Sequence, residues 1–221
     1  HLAKFPTAVF DYIVVDEFHH AAAGGYQRLL EHFTPSFLLG LTATPTRTDG
    51  SDILKLCDNN LIYQQDLFDG VKAEALCPFS YFGIFDKEVD YDHLPWRNGK
   101  FDPEKLSNKL ATKGRAKHVL TEWKVKSQDV SLAFCVSRKH ADYMADYFNQ
   151  QGITAASVHS DSSLTRSEAL EKLNNGDIKI LFSVDLFNEG VDLPKIDTVL
   201  MLRPTESKIL FLQQMGRGLR K

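Results

Sequence analysis

The chain has 221 residues, 43% of them hydrophobic and 25% charged, which is enough apolar material for one large or two small cores. A formal net charge of −3 excludes a globally basic nucleic-acid footprint, and three cysteines at wide spacing (Cys57, Cys77, Cys135) exclude a disulfide framework or a zinc site built on cysteines. No apolar run approaches the roughly 18 residues of a membrane span, and His1-Leu2-Ala3-Lys4 has no signal-peptide pattern, so a reducing cytoplasm and no membrane partner are expected.

Residues 1–75 carry 5 Lys+Arg against 10 Asp+Glu, and the remainder 21 against 19, so any nucleic-acid contact must be a local groove. The first apolar run, Tyr12-Ile13-Val14-Val15, predicts a strand buried on both faces of a parallel sheet, and it ends in Asp16-Glu17-Phe18-His19. Ligands bind at the carboxyl ends of such strands, where the loops diverge. Two adjacent carboxylates there suit metal-assisted phosphate chemistry, one near Mg²⁺ and one positioning a water; the plainer alternative is a strand ending in solvated acids. Tyr26, Leu29, Leu30 and Phe33 at i, i+3, i+4, i+7 predict an amphipathic helix stopped near Pro35. The next buried strand, Phe37 to Leu41, runs into Thr42-Ala43-Thr44-Pro45. A short helix at 52–57, a strand at 61–64 and a helical segment at 66–75 follow.

Pro78 marks a boundary, because an apolar pattern restarts at Ser80 to Phe85. The acidic stretch 86–101, with Trp96 and the turn signal Asn98-Gly99, predicts an inserted loop or hairpin. Asp102-Pro103 starts a helix with Gly114 as its stop, and Ala116, Val119, Leu120 and Trp123 predict another. Strands and helices then alternate: a strand at 132–136, a helix at 138–151 between Ser137 and Gly152, a strand at 154–158, a helix after the capping box Thr165 to Glu168, and strands at 178–184 and 198–202. That alternation implies a parallel sheet with right-handed crossovers.

Three stretches stand in order across two α/β units: Asp16-Glu17-Phe18-His19, Thr42-Ala43-Thr44-Pro45 and Gln213-x-x-Gly216-Arg217-x-x-Arg220. Together they resemble motifs II, III and VI of the superfamily II helicases and translocases, DExH group. Phe134 to Arg138 is similar to motif IV, Ser157 to Ser160 to the strand end after it, and Ser183 to Pro194 to motif V. The stretch Asn188 to Pro194 resembles the restriction-subunit and DNA-repair branches.

The resemblance implies an α/β chain of two RecA-like parallel-sheet lobes of the P-loop NTPase class. Residues 1–77 would form the second half of a truncated lobe 1, and residues 78–221 lobe 2. It implies ATP and Mg²⁺ as cofactors and nucleic acid as partner, DNA favoured over RNA, and it leaves room for other domains or subunits of a repair or restriction system. Asp16 would hold Mg²⁺ through its water shell, and Glu17 would orient and deprotonate the attacking water. His19, Thr42 and Thr44 would couple nucleotide state to lobe closure. Gly190, Asp192 and Gln213 would line the nucleotide, and Arg217 and Arg220, at i and i+3 on one helical face, would act as arginine fingers. Ser137, Arg138, His159 and Ser160 would contact the nucleic-acid backbone.

The sequence departs from the family in lacking G-x-x-x-x-G-K-[ST]: its one Gly-Lys pair, Gly99-Lys100, has Leu94 and Phe101 where Gly and Ser or Thr belong. The expectation is a fragment of a longer enzyme, itself inactive on ATP, missing an N-terminal part of its own chain. Val184 stands where relatives often carry Thr. The alternative is a helicase-like module that binds nucleic acid or protein without motor activity. A metal hydrolase built on His19 and His20 is disfavoured because HExxH spacing is absent.

Overall fold

A computed structural model describes residues 2–21, 24–43, 53–92, 94–97, 100–187, 195–205 and 207–220. Thr44, Gly190, Asp192 and the Asn98-Gly99 turn lie outside the described residues. The chain divides into two compact units, His1–Asp66 and Leu67–Lys221. The division falls ahead of Pro78 because the preceding segment is tied to the second unit: the Cys77 amide donates to Leu219 O at 3.0 Å.

In the first unit, β1 (Tyr12–Val15) pairs in parallel with β2 (Phe37–Gly40), joined by α1 (Gly24–His32). Val15, Phe18, Ala21 and Ile53 form a small core. The expected burial of β1 on both faces holds on one face only: Tyr12 is 69% and Val14 56% exposed. No described element covers the side to which they point, whereas Val15 and Ile13 face the core. The expected helix near 52–57 is a 3₁₀ helix, Ile53–Cys57, and residues 61–64 form no strand.

The second unit opens with α2 (Leu67–Lys72) and the hairpin β3 (Trp96–Arg97) and β4 (Lys100–Phe101), where Trp96 packs edge-on against Phe101. Next come α3 (Pro103–Leu110) and α4 (Lys113–Lys126). Gly114 lies inside α4 rather than ending α3. The Thr112 hydroxyl accepts from the Arg115 amide and starts the new helix two residues earlier. The main sheet is built from β5 (Ser131–Phe134), β6 (Ala155–Val158), β7 (Ile180–Ser183) and β8 (Thr198–Met201) in the order β6-β7-β5-β8, all parallel. Its crossovers are α5 (Arg138–Gln150) and α6 (Arg166–Asn175), and α7 (Lys208–Gly216) follows β8.

Period-two alternation sends Ala133, Cys135, Ile180 and Phe182 to the face covered by α4 and α5, and Leu132, Phe134 and Leu181 to the face covered by α6. Both central strands are fully buried, as continuous apolar runs in parallel sheets are. Thr165 and Glu168 form the expected capping box, and Gly176 ends α6 at φ 81°, a conformation glycine adopts without steric cost. Tyr143 and Tyr147 pack in the core beside α4.

Candidate functional site

In the first unit, the site is built where β1 and β2 end side by side. Leu41 N–H donates to Val15 O at 2.9 Å, and Phe18 N–H donates back to Leu41 O at 2.8 Å, so the chain leaving β1 is stitched to the chain leaving β2. The Phe18 ring lies against Gly40: a Cβ there would stand 2.5 Å from the ring. Glu17 holds a left-handed backbone, φ 49° and ψ 48°, uncommon for a residue with a side chain and frequent at functional turns. Its amide donates to Asp16 Oδ1 at 2.8 Å, which fixes one oxygen of the exposed Asp16 carboxylate.

His19 is buried, and its Nδ1 lies 3.1 Å from Thr42 Oγ1 and 3.3 Å from Glu17 Oε2. Nδ1 thus stands within hydrogen-bond distance of the Thr42 hydroxyl and within ion-pair distance of the Glu17 carboxylate. The structure therefore brings Glu17, His19 and Thr42 together. A magnesium ion keeps most of its water shell and takes one or two carboxylates with phosphate oxygens, and Asp16 fits that demand.

In the second unit, the candidates line the carboxyl ends of neighbouring parallel strands, β5, β6 and β7, the edge where α/β sheets bind ligands. Ser137 caps α5 by accepting from the His140 amide at 3.1 Å, and its hydroxyl lies 2.5 Å from Ser107 Oγ. Arg138 and Asp161, both exposed, form an ion pair beside the exposed Ser160. His159 is buried, with Nε2 2.9 Å from Asp142 Oδ1 and the Asp161 amide donating to Nδ1 at 3.3 Å. Nε2 therefore carries the proton, and both ring nitrogens serve the fold of the loop. Asp142, which also accepts from Ser157 Oγ, was not legible as a site residue; an acid one turn into a helix reads as a solvated face.

Asp185, after β7, has φ 57° and accepts from Arg203 Nη1 at 2.6 Å, a pairing with no local sequence signal because 18 positions separate the two. Gln213 lies in α7, but Arg217 and Arg220 stand past its end, Arg217 as the C-cap and Arg220 outside any regular element. The helix ends at Gly216, and i to i−3 bonds from Arg217, Gly218 and Leu219 tighten the chain into a 3₁₀-like turn. Arg217 is buried and Arg220 half-buried.

Behind this edge, Arg115 is 5% exposed and fully engaged: Nε donates to Asp86 Oδ2 at 2.7 Å, Nη1 lies 3.0 Å from His140 Nε2, and Nη2 donates to Leu202 O at 3.0 Å. Guanidinium cannot accept, so His140 is neutral with Nε2 as acceptor. Burial, and then the Arg115 charge, push its pKa down to about 3.

Comparison with known proteins identifies the family. Residues 114–221 match the helicase conserved C-terminal domain, and residues 2–47 match the family described as type III restriction enzyme, res subunit. IRC3 of Saccharomyces cerevisiae, whose name describes an ATP-dependent helicase, is 30% identical over 99% of this chain and 33% of its own length. The DNA 3′-5′ translocase XPB2 of Sulfurisphaera tokodaii is 25% identical over 99% of this chain and 56% of its own. A fragment structure of an HsdR subunit of a type I restriction enzyme from Vibrio vulnificus YJ016 superposes with a TM-score of 0.70 at 27% identity, covering 99% of this chain and 42% of that one. The chain thus spans between a third and somewhat over half of the length of these relatives. Its α/β fold, its ordered motifs and these matches agree: the chain belongs to the superfamily II helicases.

Proposed function

We propose that residues 1–221 are part of the motor core of an ATP-dependent translocase or helicase acting on nucleic acid, DNA rather than RNA. The observation that carries this reading is the Glu17, His19 and Thr42 cluster at the joined ends of β1 and β2. It links a carboxylate that could activate water, through the His19 ring, to a hydroxyl just past the neighbouring strand. The preference for DNA rests on similarity to a DNA translocase, to restriction subunits and to a UvrABC system protein B.

Bound ATP with Mg²⁺ would supply the transferable phosphoryl group. Asp16 would hold the ion through its water, Glu17 would orient the attacking water and take its proton, and Arg217 and Arg220 would neutralise charge on the transferring group, an effect worth roughly 10³ to 10⁵ in rate. Gln213, Gly190 and Asp192 would line the nucleotide, and Thr44 would act with Thr42. Ser160, Arg138 and the main chain around His159 would grip phosphates without reading bases. Because the sequence has no Gly-rich loop with Lys to cradle the outer phosphates, residues 1–221 by themselves should not turn over ATP.

The test is ATP-driven displacement of a protein block or a complementary strand by the full-length protein on DNA and on RNA tracks. Displacement on DNA supports the reading; binding to both without ATP-dependent displacement favours a passive nucleic-acid module.

A further inference from the structure

The stretch from Pro103 to Lys117 holds five Lys+Arg and one acid, in a chain whose net charge is −3. It opens with α3, in which Leu106, Ser107 and Leu110 are buried while Lys105, Asn108 and Lys109 are exposed. Positions i, i+3 and i+4 share one face of a helix, so these three form a single polar stripe facing away from the apolar one. Among the described residues, neither Lys105 nor Lys109 is paired with a carboxylate.

Helix stability does not account for this stripe. Lys105 and Lys109 are like charges at i and i+4, and the next position in that row is Lys113, so each lysine stands beside another where an acid would stabilise the helix. Lys105 also lies in the first turn, where the helix dipole disfavours a cation. Charge arranged against the interest of its own helix suits an anionic partner.

Three contacts tie the stripe to the strand-end edge that carries Arg138. Ser107 Oγ lies 2.5 Å from Ser137 Oγ, and Val136, just past β5, packs against the cluster of Leu106 and Leu110. Lys139 Nζ donates to Asn108 Oδ1 at 2.7 Å, which joins the stripe directly to α5, beside the exposed Arg138. Asp142, one turn on from Lys139, is engaged by Ser157 and His159. The α3 stripe, Lys139 and Arg138 are therefore one continuous surface.

We infer that the exposed face of α3 extends the nucleic-acid track of the second unit, with Lys105, Lys109 and Lys139 as further contacts to the phosphate backbone. The inference rests on the reading of Arg138 as a phosphate contact. Four residues of helix rise about 6 Å. Successive phosphates of a duplex strand rise about 3.4 Å, so Lys105 and Lys109 span about two nucleotides. Lysine ammonium groups on flexible stems hold phosphates as point charges and read no sequence.

The test is binding of labelled single-stranded and duplex DNA by the full-length protein, read by fluorescence anisotropy between about 50 and 200 mM salt. Lys105→Gln with Lys109→Gln should weaken binding at least about fivefold and flatten the slope of log K against log salt by about 1.4 on single strands and 1.8 on duplex, the counterion release of two contacts. Both positions are exposed and Gln is close to Lys in helix propensity, so the urea midpoint should not move. Arg138→Ala, measured alongside, separates the two claims. Weaker binding by Arg138→Ala with unchanged affinity and slope in the lysine variant would overturn the inference, leave the Arg138 contact standing and give the α3 face to an acidic protein partner or to solvent. Weaker binding by the lysine variant with an unchanged slope would also overturn it, as an indirect effect. No weakening by either variant would remove the Arg138 contact and the inference with it.

Discussion

His19 Nδ1 stands 3.1 Å from Thr42 Oγ1, joining the turn after β1 to the chain leaving β2, while the same nitrogen lies 3.3 Å from Glu17 Oε2. Groups sharing one hydrogen-bonding atom act as a unit and are non-additive when removed. In nucleic-acid-stimulated ATPase of the full-length protein, His19→Ala and Thr42→Val should each lower kcat, and the double variant should be little worse than the poorer single. The coupling should be about 0.5–3 kcal/mol. Additive losses would separate the two residues.

Gly40 permits this arrangement, because a side chain there would meet the Phe18 ring at 2.5 Å. Gly40→Ala should push Phe18 out of its packing and destabilise the protein by about 1–3 kcal/mol in urea unfolding. Adding Phe18→Leu, which shortens the obstructing side chain, should recover part of the loss; no recovery would place the clash elsewhere.

Arg115 should be a keystone of the second unit. Arg115→Ala leaves the Asp86 carboxylate, the Leu202 carbonyl and His140 Nε2 without their donor, and breaking a buried ion pair from one side costs about 3–5 kcal/mol. Asp86 is partly exposed, which places the expectation near the lower end. A urea midpoint within error of wild type would refute it.

His140 makes stability depend on pH. Its folded pKa, about 3, lies below the ordinary histidine value of 6.5, so between these values the unfolded state binds a proton that the folded state does not. Its contribution is fully present above pH 6.5 and is lost as pH falls toward 3, at about 1.4 kcal/mol per unit. His140→Gln keeps an acceptor for Arg115 without titrating. Wild type should therefore lose stability more steeply than this variant between pH 6.5 and 4, and parallel curves would contradict the assignment.

Much of this was legible in the sequence because it is local. The parallel strands of the second unit followed from continuous apolar runs, and the caps at Asp102, Ser137 and Thr165 from single side chains bonding amides three residues on. The acid pair and the threonine were legible as a pair of strand ends, since both stretches close apolar runs. What escaped depends on distant partners. The Arg203 pairing with Asp185, the Asp142 hold on His159 and the Arg115 network each join residues at least 15 positions apart. The helix expected to carry Arg217 and Arg220 stops short of them, because Gly216 ends α7 and i to i−3 bonds follow. Tyr12 and Val14 show the limit of pattern reading: periodicity fixes which residues share a face, and whether anything covers that face is a tertiary matter.

The central claim is that Glu17 activates water in a nucleic-acid-driven ATPase. The most direct measurement is ATP turnover by the full-length protein and its Glu17→Gln variant, with and without single-stranded DNA, duplex DNA and RNA, alongside nucleotide binding. The account predicts turnover stimulated by DNA in the wild type, and in the variant loss of turnover by at least roughly 10³ with binding retained, by analogy with other parts of phosphoryl-transfer sites. Near-normal turnover in the variant, or no turnover by the wild type on any track, would contradict it.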